Sequence, residues 1–491
     1  MWVFSTAGCR WLGAAGSLAV TVGGWAAGAL PVRGGAGLWQ PHGPGATTAG
    51  AVLAYLGLTL LIAAWWQYGR LLVTGGPHEG ERTGLTLGCW AAPLLLAPPL
   101  HSADVYSYIA QGAMVLEGHD VYGAGPAVLG PGELGHDAAA SVGGHWTDTP
   151  APYGPVFLVL AQAVVKLTGG SVVPAVLGMR LTALGALALV VWAVRGLARP
   201  EQRAGVLWLA ALNPLLLIHV VGGTHNDGLM TGLMLGGVLL AVRGRWVTGS
   251  VLVGLAVMIK SPAAVALLFI GILVARRRGG AAGVLKGLLP GAVAAAVAAG
   301  ASLVAGTGFG WLRTQGVAAG IHTALSVTSD LGLGLGVLVA DDPEPVKGAV
   351  QKLGLLVALG VVAVLARRAW QGRLDPVLGL GLSLLALVAL SPMVQPWYVL
   401  WGTCAVAVVA WNRRAGQLLA VLTAALTYET APSGHTPAYG FALAGLVLAA
   451  GLWWTRREPW PPTGSGPDLD LVDGTRPAPG RVAAQGPRTG A

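Results

Sequence analysis

From about residue 11 to residue 455 the sequence is a succession of apolar runs close to bilayer-spanning length, many of them separated by short arginine-bearing connections. Crossing a bilayer takes about 20 apolar residues of helix. Lipid offers no partner to backbone polar groups, so such runs must satisfy their own hydrogen bonds as helices. Composition points the same way. Hydrophobic residues make up 54% of the chain and charged residues only 10%, against about 25% charged in soluble domains. The expected fold is therefore all-α and polytopic.

Candidate spans fall near 11–30, 50–73, 84–100, 172–194, 204–221, 226–243, 247–260 and 261–275. More follow near 283–305, 346–368, 375–391, 396–412, 415–431 and 436–455, which makes about fourteen transmembrane helices. Arg10 precedes the first run, which reads as a cleaved signal or an uncleaved span; its length favours a span. These residues form one integral membrane domain, 1–455, followed by a Pro-, Gly- and Asp-rich tail, 456–491, expected to be a disordered cytoplasmic extension.

Lys and Arg are enriched on the cytoplasmic side of membrane proteins. Arg10, Arg70 with Arg82, the Arg195, Arg199 and Arg203 group, Arg243 with Arg245, and Arg276 to Arg278 all fall on one side of this arrangement. So do Arg367 with Arg368, Arg413 with Arg414, and Arg456 with Arg457, leaving both termini cytoplasmic. The run 154–170 breaks the alternation, because making it cross would expel Arg195, Arg199 and Arg203; it is expected to be interfacial or partly inserted. Arg180 sits inside an apolar run, where a charge is costly unless it faces the bundle interior. The net charge of +9 lies in these topology signals and gives no reason to expect nucleic acid. "GTGFG" (306–310) and "GLGLG" (332–336) lack the lysine and helix that would make them phosphate loops. Cys9, Cys89 and Cys404 lie in or beside separate apolar segments, which suits neither a disulfide framework nor a cysteine metal site.

The opposite face carries the unusual material. Residues 101–153 hold six acids, four histidines and no Lys or Arg, forming a long acidic outer loop. A second outer loop spans 306–345, and "GGTHND" (222–227), "SPMVQPW" (391–397) and "YETAPSGHT" (428–436) form shorter tips. Asp104 sits where a span ends. It reads either as a cap, with Ser102, for a helix starting near Val105, or as a general base removing a proton from a sugar hydroxyl. Tyr106, Tyr108, Asp120 and Tyr122 share that loop, and the tyrosines fit a sugar site or an interfacial aromatic belt. His225, Asn226 and Asp227 occupy an outer tip, where a helix N-terminus attracts phosphate or Asn226 or Asp227 caps the following helix. Gly232 and Gly236 form a small-xxx-small pattern for helix contact. Lys260 either snorkels or stabilises a departing phosphate. Gln395, Trp397 and Tyr398 mark another tip, as sugar-facing groups or belt residues. The His/Asp pairs at 101/104, 119/120, 136/137 and 145/148 lack a diagnostic metal-ligand spacing, so no metal is expected.

In order along the chain, "DVYSYIAQG" (104–112), "APYGPVFL" (151–158), "NPLLLIHVVGGTHNDGLM" (213–230), "KSP" (260–262) and "SPMVQPWYVLW" (391–401) resemble the integral-membrane mannosyltransferases of actinobacteria. The resemblance covers roughly 90–455. It implies a GT-C glycosyltransferase fold, a polyprenyl-phosphate mannose donor, a mannan or lipomannan-type acceptor and α-1,6 linkage with inversion. It also implies Asp104 as catalytic base, a lipid-phosphate region around His225 to Asp227 and Lys260, an extracytoplasmic active site and no cofactor. One departure is visible: the Gly-x-Asp-Pro-Tyr element expected downstream reads "GHDVY", with Val121 in place of proline. The competing class is a transporter or flippase for a lipid-linked sugar, which would show two related halves with broken helices at the midplane. No such halves are visible in the sequence.

Overall fold

A computed structural model describes residues 5–74 and 82–457. Among these residues the secondary structure is helical throughout, with no strand. The expected tail falls outside them apart from Arg456 and Arg457, which end the last helix, Ala438–Arg457.

Each apolar run carries helix, but the helices are unequal. Five are continuous and apolar enough to cross a membrane: Pro44–Val73, Val172–Leu197, Gly280–Val304, Glu344–Trp370 and Ala438–Arg457. The run 204–221 is instead a broken pair, Pro200–Ala210 and Pro214–Gly222, bent by 54°. The break follows from Asn213–Pro214. Proline cannot continue the ladder, and Asn213 restarts the helix by accepting from the Leu215 amide at 3.0 Å. Other apolar helices are short. Asp227–Val242, Trp246–Val257 and Pro155–Thr168 run for 16, 12 and 14 residues. At 1.5 Å per residue the last is about 21 Å long, less than a hydrocarbon core of about 30 Å.

Three local expectations are revised. Arg10 lies inside the first helix, Thr6–Ala27, rather than before it, and its Nε donates to Thr86 Oγ1 at 3.1 Å. The segment 306–345 is not a simple loop, since it contains the apolar helix Val327–Val339. The run 84–100 forms a helix only over Thr83–Leu94. Pro98 and Pro99 then hold the chain extended toward Asp104.

Arg180 faces the bundle interior and is 2% exposed. Its guanidinium donates to the carbonyls of Leu95, Ala97, Pro98, Val221 and Gly222. A planar fork of donors is suited to satisfying several fixed carbonyls at once. Here it joins the extended approach to Asp104 to the end of the broken helix that leads to His225. The Leu100 amide donates to Gly222 O at 3.2 Å along the same seam. Gly232 does mark a helix contact, as a side chain there would meet Leu189 Cβ at 2.8 Å on the neighbouring Val172–Leu197 helix.

Candidate active site

The seam delivers two strained residues to one place. His101 and Thr224 both have positive φ, at 59° and 62°. Non-glycine residues hold this conformation only where surrounding structure fixes it, and functional sites are common locations. His101 is fixed by its amide, which donates to Pro432 O at 2.9 Å, and by contact of its Nδ1 with Thr430 O at 2.9 Å.

Three residues on, Asp104 opens the helix Asp104–Leu116. Ser102 Oγ accepts from the Asp104 amide at 3.1 Å, so the serine supplies the local turn and the Asp104 carboxylate does not cap the helix. The carboxylate keeps 21% exposure, and its Oδ2 lies 3.5 Å from His225 Nδ1. Burial of the rest pushes the Asp104 pKa up to about 6; Lys260 and the Ser102 hydrogen bond oppose the rise, and Asp227 adds to it. Such a value suits a base working near neutral pH. Tyr108, one helical turn from Asp104, points its hydroxyl at the same His225 nitrogen, also at 3.5 Å.

His225 is buried and stacks on Trp397 with ring centroids 3.7 Å apart. Burial is the main reason its pKa is lowered to about 3, with Lys260 lowering it further and Asp227 opposing. The ring is therefore neutral at physiological pH, and its Nε2 has no partner among the described residues. The next helix, Asp227–Val242, begins here. Asn226 occupies the cap position without a side-chain capping bond, and both its amide atoms are unpartnered among the described residues.

Asp227 is held tightly. Its Oδ1 accepts from Lys260 Nζ and from Trp401 Nε1, each at 2.8 Å, while Oδ2 has no partner among the described residues. Lys260 also lies over the Tyr398 ring at 4.2 Å and the Trp401 ring at 5.2 Å. Those two rings stack at 4.4 Å. Ring faces attract a partly desolvated ammonium. Lys260 reaches this position because the helix Trp246–Val257 stops and the chain is extended at Lys260 before the turn Ser261–Ala264. Gly154 makes room for that turn: a Cβ there would lie 2.5 Å from Met258 O. The segment "APYGPVFL" is thereby locked beside the site, with Tyr153 and Phe157 edge-on to Tyr108 at 5.4 and 4.9 Å.

The structure thus brings together Asp104, Tyr108, His225, Asn226, Asp227, Lys260, Trp397 and Tyr398. Three other candidates serve elsewhere, and a fourth, Gln395, adjoins the cluster in sequence. Tyr106 donates to Ala29 O at 2.6 Å. Asp120 Oδ1 accepts from the Tyr122 amide at 3.0 Å, and Tyr122 donates to Tyr153 O at 3.1 Å, so both shape the outer loop. Gln395 precedes the Pro396–Tyr398 turn without a capping bond. Trp401, Tyr153, Phe157 and Arg180 are additional residues that build the site. Trp401, Tyr153 and Phe157 stand in the motifs quoted above, but only the fold shows that Trp401 reaches Asp227.

No group of three or more His, Cys, Asp or Glu able to hold a metal occurs among the described residues. The sequence pairs separate: His119 bonds Glu133 at 2.9 Å, and His136 contacts Leu129 O at 3.1 Å. What converges is one partly open carboxylate, one ammonium and a set of unpartnered buried polar atoms. This arrangement can take a proton from a hydroxyl while stabilising a developing anion.

Comparison with known proteins adds a lineage. The family domain described as "Alpha-(1->6)-mannopyranosyltransferase, N-terminal domain" matches residues 10–276, and the "MptB C-terminal domain" matches residues 322–458. A relative from Mycolicibacterium smegmatis is 37% identical over 83% of this chain and 79% of its own length. An alpha-(1->6)-mannopyranosyltransferase of Mycobacterium tuberculosis is 35% identical over 85% of this chain and 80% of its own. Alpha-(1->6)-mannopyranosyltransferase B of Corynebacterium glutamicum is 31% identical over 92% and 82%. No solved structure matches the chain.

Proposed function

The chain belongs to the alpha-(1->6)-mannopyranosyltransferase family, and from that premise we propose that it transfers mannose from polyprenyl-phosphate mannose to a mannan or lipomannan-type acceptor at the outer membrane face. It is a glycosyltransferase, which sets aside the transporter alternative. The observation that carries the proposal is the pairing of a partly open Asp104 carboxylate with the Lys260–Asp227 ion pair, whose carboxylate is buried, in one cluster.

The reaction is a single displacement. Asp104 accepts the proton of the acceptor's 6-hydroxyl as that oxygen bonds to the anomeric carbon of the donor mannose. The bond from that carbon to the phosphate oxygen breaks, and polyprenyl phosphate leaves with the electron pair. Attack opposite a β-linked phosphate gives an α-linked product. Phosphate leaves without a protonating acid, so a second catalytic carboxylate is not required, unlike in the glycosidases. Lys260 uses one hydrogen on Asp227 and offers the others to the departing phosphate. Fixed donors aimed at developing charge are among the largest contributions to such catalysis. The Asn226 amide and His225 Nε2, both unpartnered, complete the polar lining. Product-bound Asp104 returns its proton to water across its exposed edge.

Sidedness follows the same reading. The helix Asp227–Val242 starts at the site and ends at Arg243, and the helix Val265–Arg278 ends in three arginines. Arginine ends are cytoplasmic under the positive-inside rule, which puts the site outside and both termini inside.

The test is transfer of labelled mannose from polyprenyl-phosphate mannose to an oligomannoside by the purified full chain, with linkage analysis of the product. An α-1,6-linked product supports the proposal. Absence of transfer, or another linkage, overturns it.

A further inference from the structure

The helices Val172–Leu197 and Asp227–Val242 run side by side from the catalytic region to the arginine end of the bundle. Glycines set how closely they approach. Gly236 admits the Trp192 ring, which a side chain there would meet at 2.6 Å. Gly196 admits Leu239 Cδ2 and Arg243 Nη2, which a Cβ would meet at 2.5 and 3.1 Å. On the outward side of this seam lies an open cleft of about 430 Å³. Its wall is apolar over Ala188, Val191 and Trp192, and beyond them it is lined by Arg195, Arg203 and Arg243. Positions 188, 192 and 195 fall on one helical face, so the change from apolar to cationic follows the helix axis.

The guanidiniums are held by main-chain oxygens and not by acids. Arg203 Nε donates to Arg195 O at 3.2 Å, and Arg243 Nη2 donates to Gly196 O at 3.3 Å. Those carbonyls end the helix Val172–Leu197, where cations are favoured. Each bond uses one donor of a guanidinium that has five. Among the described residues no carboxylate pairs with Arg195, Arg203 or Arg243. Glu201, in the neighbouring turn Pro200–Gln202, is not part of the lining. Helix capping therefore accounts for one edge of two arginines and leaves three like charges around a space that no acid enters. Such charges repel one another, and an anion between them removes that cost.

We propose that this cleft binds one anionic phospholipid, with its phosphodiester among the three guanidiniums and its glycerol and first methylenes along Trp192. Guanidiniums take phosphate oxygens bidentately, and basic pockets between transmembrane helices suit lipid head groups. Trp192 is 41% exposed, and a tryptophan at a membrane boundary sits at head-group level. The apolar wall selects a lipid over a soluble phosphate. The uncompensated charge selects an anionic head over a zwitterionic one. Acyl chains gain no hydrophobic burial on leaving bulk lipid, so the selectivity resides in the head. The bound lipid braces the two helices that carry Arg180 and Asp227. This site lies apart from the catalytic cluster and goes beyond the transferase reading, since it concerns neither donor nor acceptor.

The experiment is photolabelling of the full chain in phosphatidylcholine nanodiscs with phosphatidylglycerol carrying a diazirine beside its glycerol. Label is expected in residues 188–203 and 236–243, about tenfold above that left by a matched phosphatidylcholine probe. Ala188 is exposed, so Ala188→Trp fills the apolar wall from outside while keeping every arginine and every topology signal. It should lower the label about fivefold, as should Arg203→Gln/Arg243→Gln. Arg413→Gln/Arg414→Gln, in a different arginine-bearing connection, should leave it unchanged. Equal labelling by the phosphatidylcholine probe would mean annular lipid only and would overturn the assignment. So would indifference of Ala188→Trp, an equal fall in Arg413→Gln/Arg414→Gln, or displacement by inorganic phosphate at constant ionic strength.

Discussion

The two carboxylates of the site, Asp104 and Asp227, sit in one cluster and are held in opposite ways. Asp227 is 2% exposed and fixed by two 2.8 Å hydrogen bonds from Lys260 and Trp401. Asp104 is 21% exposed, and its partner His225 stands 3.5 Å away. A carboxylate oxygen bonded at once to an ammonium and an indole N–H serves to hold that cation in place. A carboxylate with a raised pKa, loose contacts and an open edge is free to take a proton. Under the proposed reading, chemistry belongs to the Asp104 end and anion binding to the Asp227 end.

Breaking the Asp104 end should have the largest effect. Asp104→Asn is expected to lower kcat by about 10³-fold, with the donor KM within about twofold; steady-state kinetics with labelled donor check both. Lys260→Ala, at the other end, should lower kcat/KM for the donor by about 10²-fold. Equal values for variant and wild type would remove Lys260 from the phosphate site. Trp401→Phe keeps the ring under Lys260 but deletes one hydrogen bond to Asp227, and about a fivefold fall in kcat/KM is expected. Tyr106→Phe is the control between the two. It should leave transfer unchanged while costing about 1 kcal/mol of stability through the unpaired Ala29 carbonyl, measured by thermal unfolding in detergent.

Much of this was legible in the sequence, because lipid forces helices and the motifs gather at helix ends. Asp104 and Tyr108 are four residues apart, so one helical face carries both. Tyr106, two residues from Asp104, is rotated by about 200° and must point away; treating "DVYSY" as a cluster of tyrosines missed this. The polar tips at 225–227, 260 and 397–398 were recognisable one at a time. Their convergence was not, since Asp227 and Trp401 are 174 positions apart. Arg180 announced itself only as an unplaced charge, because nothing in a sequence says that five carbonyls from two separated segments surround one guanidinium. The short and broken helices were hidden for a similar reason: an apolar run sets how much chain avoids water, but local elements such as Asn213–Pro214 set where helix breaks.

The most direct test of Asp104 as the base is the pH dependence of kcat/KM between about pH 5 and 8, measured for wild type and Asp104→Asn. The raised carboxyl pKa means that Asp104 loses its charge, and its ability to accept a proton, as pH falls through about 6. The account predicts that wild-type kcat/KM falls about tenfold one unit below that point, and that the residual activity of Asp104→Asn lacks this limb. A flat wild-type profile through pH 6, or the same limb in both proteins, would contradict it.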